Sequence, residues 1–301
     1  MRRLDEFRND CWINVVAPDA KEQEELETRF EIPPEFLKAA MDEEESSRID
    51  REDDHTLIII DVPYLEKFNG SIIYMTMPVG IIMNERYIMT ISLKDSPILQ
   101  EFAEGTVKNV HTNHRTQFVL HIMLRMSTRF LQYLKQIDKQ SGYLEMQLRK
   151  SMRNREIINL MDLQKSLVYF QTSLKSDEIT LEKILRGRYI KMYDEDQELL
   201  EDVLIEIKQA VEMSNIYLSI LTGTTDAFAS VISNNLNIVM KVLTSITILM
   251  AIPTMIFSFY GMNIGSVAGG LPGAATIWIP LGFAVAVTLI VGIILYRKDM
   301  F

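Results

Sequence analysis

The 301-residue chain is 48% hydrophobic and carries 41 acidic against 31 basic residues, a formal net charge of −10. That is enough apolar content for a substantial core in one or two domains, and the wrong sign for a nucleic-acid partner, while cations remain possible partners. The average hides an asymmetry, because no Asp, Glu, Lys, Arg or His occurs between Val242 and Tyr296, so a charged body is joined to an apolar tail.

The opening residues, MRRLDEFRND, meet acids at once and lack the apolar stretch of a signal peptide, which predicts a cytosolic N-terminal body. The lone cysteine, Cys11, has no partner for an internal disulfide. Over residues 1–105 the pattern alternates. CWINVVAP reads as a short buried strand, DAKEQEELETRF as a helix with Asp19 at its N-cap, and PPEFLKAAM as a second helix opened by prolines. The β-branched runs HTLIIIDVPYL, GSIIYMTMPVGIIMN and RYIMTISL follow, punctuated by Asn69-Gly70 and by a turn at Asn84–Arg86. The expectation is an α+β domain with a mainly antiparallel sheet.

From residue 106 to 195 apolar residues such as Phe118, Ile122, Phe130, Leu134, Ile137, Leu160, Leu163, Leu167 and Phe170 recur at helical spacing, with Gly142 and Gly187 as the only strong breakers. Long amphipathic helices are expected there. The same three-four spacing then runs through Leu200, Ile207, Val211, Leu218, Leu221, Phe228, Ile232 and Val239 directly into the apolar tail. A single helix over Asp196–Phe259 would be roughly 95 Å long, too long for a small domain to enclose. Residues 196–241 therefore read as a stalk leaving the cytosolic body.

Two apolar stretches, 242–260 and 276–296, are each long enough to cross a bilayer, and 261–275 connects them. Lys241 precedes the first and Arg297-Lys298 follow the second, whereas the connection is uncharged. The positive-inside rule then puts the N-terminal body and the tail 297–301 in the cytosol and the connection outside, as expected for a multi-pass protein of the cell membrane. The first span carries Thr244, Ser245, Thr247, Thr254 and Ser258, and the second is mostly Leu, Ile, Val, Ala and Gly. Hydroxyls in a span either bond their own helix or line a shared aqueous path, and the plain span suits lipid.

Two spans cannot surround water, so a pore needs several copies around an axis. Steps of three, four or seven from Asp226 collect Ser230, Ser233, Asn237, Met240, Thr244, Ile248, Ala251 and Thr254 on one helical face, with Leu243 beside Met240 as an apolar collar. Neutral oxygens can bond the waters of a hydrated Mg²⁺, an ion that dehydrates reluctantly, without trapping it. No phosphate-binding GxxxxGK[ST] occurs. None is needed: a divalent ion entering down ~100 mV of inside-negative potential gains about 4.6 kcal/mol, roughly three decades of accumulation. Passive flow is sufficient.

Tyr260-Gly261-Met262-Asn263 at the outer end of the first span, MKVLT (Met240–Thr244) at its inner end and the basic Arg297-Lys298 resemble the CorA family of magnesium and cobalt transport proteins. The resemblance covers the whole layout and implies a funnel-shaped homopentamer with the first spans lining its pore. By the same resemblance Asn263 forms a ring at the outer mouth shaped by Gly261 and Met262. Asn237, Met240, Leu243, Thr244 and Thr254 match pore-facing positions, and Asp226 an acidic ring near the cytosolic entrance. Divalent ions bound between cytosolic domains would hold the pore shut, with Asp202 as one ligand and Asp42, Glu43 or Glu44 opposite it. Three features depart from the family pattern. The segment 264–275 has no acid, Pro253 is shifted by one residue, and the basic tail is short.

Rival readings are the same fold moving Zn²⁺, Co²⁺ or Ni²⁺, including by proton coupling, and a membrane-anchored sensor or scaffold. Met262 favours magnesium, and an anchor has no use for a polar first span. His111, His114 and His121 could bind zinc or nickel but equally suit a solvated helix face. No arrangement of nucleophile and base suggests an enzyme.

Overall fold

The computed structural model describes residues 11–68, 71–108, 110–151, 154–187, 189–261, 278–298 and 300. The chain divides into two units, Met1–Thr225 and Asp226–Phe301.

The first unit opens with β1 (Cys11–Val16), α1 (Ala20–Phe30) and α2 (Pro34–Ala40), followed by β2 (Arg48–Glu52), β3 (His55–Phe68), β4 (Ser71–Met83) and β5 (Tyr87–Ser92). The strands form one sheet in the order β1-β5-β4-β3-β2, antiparallel throughout except for the parallel β1–β5 pair. The antiparallel bias expected from the hairpin signals is therefore present. The turn at Asn69-Gly70 lies outside the described residues, whereas the Asn84 turn is held by its side-chain oxygen accepting from the amides of Arg86 and Tyr87 at 2.8 and 2.9 Å. Strand β2 is unforeseen, because RIDRE is too polar to announce itself. It forms only because β3 offers it an edge.

Asp19 does cap α1. Its carboxylate accepts from the amides of Lys21 and Glu22 while Glu22 accepts from Asp19, a reciprocal capping box. Helices α1 and α2 cover one face of the sheet, packing Leu26, Phe30, Phe36, Leu37, Ala39 and Ala40 on Leu57, Ile59, Ile82, Met89 and Ile91. Helices α4 (Arg115–Lys150) and α5 (Asn154–Arg186), reached through the short α3 (Pro97–Ala103), also pack against the sheet. Burial on both faces explains why β3, β4 and β5 read as near-continuous apolar runs. An aromatic cluster ties α4 and α5 to β4: Tyr74 meets Tyr133 and Phe170 edge-on, and Phe130 meets Phe170 at 5.0 Å between ring centres. Gly142 does not break α4, which runs straight through it.

Helix α6 (Asp194–Tyr260) is continuous over 67 residues, with Pro253 inside it. Its first part completes the core of the first unit through Leu200, Val203, Ile207, Ala210, Ser214 and Leu221, all buried. The second unit contains the rest of α6 and α7 (Trp278–Arg297). Both helices contain a stretch long and apolar enough to cross a membrane.

Candidate functional site

In the second unit α6 has two dissimilar faces. Val242, Ser245, Leu249, Ile252, Ile256 and Tyr260, at three-four spacing, are shielded to differing degrees. Ser245 is fully buried and its hydroxyl donates to the Met300 carbonyl at 2.9 Å, while Leu249 lies 3.7 Å from where a Cβ on Gly292 would stand. This is the side that packs against α7, whose own shielded stripe includes Ala284, Thr288, Val291, Gly292 and Leu295. The small residues in that stripe permit close approach of the two backbones.

Asp226, Ser230, Ser233, Asn237, Met240, Thr244, Ile248, Ala251 and Thr254 are all exposed. At about 100° per residue their stripe is centred roughly 130° around the helix from the α7-facing side. Leu243, also exposed, flanks it next to Met240. The sequence-predicted face is thus one continuous exposed stripe among the described residues of the second unit. Ser245 does not belong to it, although its residue type in an apolar span suggests that it should. Only the position of α7 distinguishes it from Thr244.

Three hydroxyls in this part of α6 bond their own backbone: Ser230 donates to Asp226 O at 3.0 Å, Thr247 to Leu243 O at 2.8 Å and Thr254 to Met250 O at 3.0 Å. The local reading of these residues is therefore correct for their protons. It leaves the oxygen lone pairs free to accept from a second group. Pro253 lacks the amide that would continue the helical ladder to Leu249. Gly261 follows the end of α6, its amide still donating to Phe257 O at 2.9 Å. Met262 and Asn263 lie outside the described residues.

In the first unit Asp42, Glu43 and Glu44 are exposed on the turn after α2. Asp42 accepts from the Glu44 amide at 3.0 Å, which organises the turn. Lys94, held above the ordinary lysine range chiefly by its hydrogen bond with the Tyr64 hydroxyl, also feels Glu43. Asp202 is exposed on α6, next to buried Val203. Among the described residues no three His, Cys, Asp or Glu side chains come together as a metal-holding group. Among the described residues of one protomer these acids do not come together as a ligand set. The same holds for His111 and His114, whose exposed rings stand 6.5 Å apart, and for His121, whose pKa is lowered by burial.

Sequence reasoning does not single out one carboxyl pair, half-buried Asp61 of β3 and fully buried Asp177 of α5. The signal was present, since Asp177 interrupts the apolar stripe Leu163, Leu167, Phe170, Leu174, Leu181 and Ile184, and Asp61 stands alone in LIIIDVPYL.

The family model described as CorA-like Mg²⁺ transporter protein matches residues 9–297. The cobalt/magnesium transport protein CorA of Methanocaldococcus jannaschii is 27% identical over 289 residues, spanning 94% of this chain and 87% of that one. The complete structure of the CorA magnesium transporter from the same organism superposes with a TM-score of 0.78 at 24% identity, covering 95% of this chain and 89% of the other. The full-length CmaX protein gives 0.71 at 13% identity, over 96% and 88%.

Proposed function

This chain belongs to the CorA-like Mg²⁺ transporter family, and from that premise we propose that it is a passive uptake channel for Mg²⁺, and for Co²⁺ as a related cargo, in the cell membrane. The observation that carries the proposal is the polar face of α6, turned away from α7 and exposed among the described residues. A face so placed on a membrane-crossing helix is costly against lipid and suits a water-filled axis shared by several copies. Two spans per chain require a homo-oligomer, and family membership argues for five copies.

The chemistry of the face fits a hydrated cation. Waters around Mg²⁺ point their hydrogens outward and need acceptors. Because Ser230 and Thr254 spend their protons on the helix, they offer the pore oxygen lone pairs. Ser233, Asn237 and Thr244 supply further oxygens, and Asp226 adds a carboxylate at the cytosolic end. Met240 and Leu243 make the apolar collar, which closes by dewetting when narrow. Gly261, Met262 and Asn263 form the outer mouth, where Asn263 is the first neutral oxygen donor the ion meets.

Lys241, Arg297 and Lys298 at one end of the two spans and the uncharged connection at the other favour cytosolic termini. Divalent ions held between Asp202 of one copy and Asp42, Glu43 or Glu44 of its neighbour close the pore when cytosolic Mg²⁺ is high. The exposure of all four acids, and the lack of a complete ligand set among the described residues of one protomer, support a shared site.

The test is ion flux into liposomes holding the purified protein, with Mg²⁺, Co²⁺, Zn²⁺ and Ni²⁺ compared at low internal divalent. Mg²⁺ and Co²⁺ entry driven by potential alone, and reduced in Asn263→Ala, is the expected result. Absence of flux for all four ions refutes transport, Zn²⁺ entry requiring a proton gradient favours the coupled zinc reading, and unchanged flux in Asn263→Ala removes the role given to that ring.

A further inference from the structure

Beside α5 the sheet meets two carboxyl groups with no cation between them among the described residues. Asp177 is fully buried in the middle of the apolar face of α5. Its Oδ1 accepts from the Ser47 hydroxyl at 2.7 Å and from the Asp61 amide at 2.9 Å. The Asp61 amide is available because β2 starts at Arg48, paired with Ile59, so Asp61 lies beyond the end of that strand. Asp177 thus takes the place of a missing strand neighbour and ties α5 to the sheet. Asp61 is half-buried; burial raises its carboxyl, the hydroxyls of Ser173 and Ser47 act the other way, and Ser173 donates to Thr76 at 2.8 Å.

Among the described residues no cation pairs with either carboxyl. On β2, Arg48 is engaged by Glu45 and Asp50, and on α5, Lys175 pairs with Glu178 at 3.1 Å. The charged group felt by Asp177 is Asp61 itself. Two ionised carboxylates in one closed site would each pay desolvation and also repel the other. Hydrogen-bond accounting leads the same way. Asp177 Oδ2, buried, has no hydrogen-bond partner among the described residues, an arrangement far more costly for an anion than for a neutral acid.

We propose that Asp61 and Asp177 together form a proton-binding site, holding one shared proton at neutral pH, and that this proton docks α5 and the Ser47 segment onto the sheet. The site is independent of what the second unit conducts. Burial pushes both carboxyls up, Asp177 well above the usual range with the Asp61 charge adding to it. The sign follows. The unfolded chain loses both protons in the ordinary carboxylate range, and the folded pair retains one to higher pH, so the folded state binds the extra proton and stability falls as pH rises above that range. The limit for one proton is a tenfold loss in the folding equilibrium per pH unit.

The test combines infrared spectroscopy and thermal melting on the full-length protein in detergent. The parent at neutral pH should show the carbonyl band of a protonated, buried carboxylic acid, shifted in D₂O and absent from Asp177→Asn or from Asp61→Asn. An amide keeps the shape and mimics the protonated acid, so each variant should also lose the part of the parent's melting-temperature decline that accompanies rising pH. A parent without the band overturns the proposal whether or not either variant folds. So does a variant that retains the parental pH slope. A band that appears only after chelation of divalent ions means that a bound cation joins the carboxylates, and likewise overturns it.

Discussion

Gly80→Ala is the most exacting test of how the first unit is packed. Gly80 sits in β4 between Ile59 of β3 and Ile91 of β5, beneath α2. A Cβ there would lie 2.4 Å from the Ala40 Cβ and 3.2 Å from its Cα. Carbon atoms in contact prefer about 3.5–4.0 Å, so α2 would have to lift by about 1 Å. The helix cannot lift freely, because Phe36, Leu37, Ala39 and Ala40 are all seated in the core. Overpacking of this kind costs about 1–3 kcal/mol. For a unit of this size that is about 2–12 °C in melting temperature. Trp12, whose indole donates to Thr90 at 3.0 Å and lies against Phe118, is a native fluorescence reporter once Trp278→Phe removes the other tryptophan. The decisive comparison is the Ala40→Gly background, which deletes the colliding methyl. There Gly80→Ala should cost less by about 1 kcal/mol or more. An equal loss in both backgrounds refutes the contact as the cause. Since α2 leads straight into Asp42–Glu44, the single mutant should also shift the proposed inhibition by cytosolic Mg²⁺.

Two further outcomes test the proposed pore and its control. With Cys11→Ser as a cysteine-free parent, cysteines at Ser233, Asn237 or Thr244 should react with a charged aqueous thiol reagent and one at Ser245 should not; equal reactivity at Ser245 and Thr244 would show that α6 is rotated from the orientation described. Asp202→Ala should raise the internal Mg²⁺ needed for half-closure on the order of tenfold, the equivalent of ~1.4 kcal/mol of lost ligand energy, and superimposable inhibition curves would exclude it as a closing ligand.

Wherever a residue's role depended on neighbours in sequence, the sequence determined it. Asp19 caps α1 because Glu22 is three residues away, the apolar tail declares two crossing-length helices by composition, and the three-four repeat carries α6 without a break. The stripe from Asp226 to Thr254 was legible for the same reason, since helical spacing alone assigns residues to one face. Periodicity does not say what each face meets. Position 245 differs from position 244 only because α7 and the Met300 carbonyl occupy one side of α6. RIDRE becomes a strand only because β3 has an open edge, and Asp177 becomes a buried carboxyl only because α5 lays it on the end of that strand next to Asp61. Local propensity and spacing are written along the chain, whereas desolvation and partner choice arise between segments distant in sequence, and these the tertiary structure alone decided.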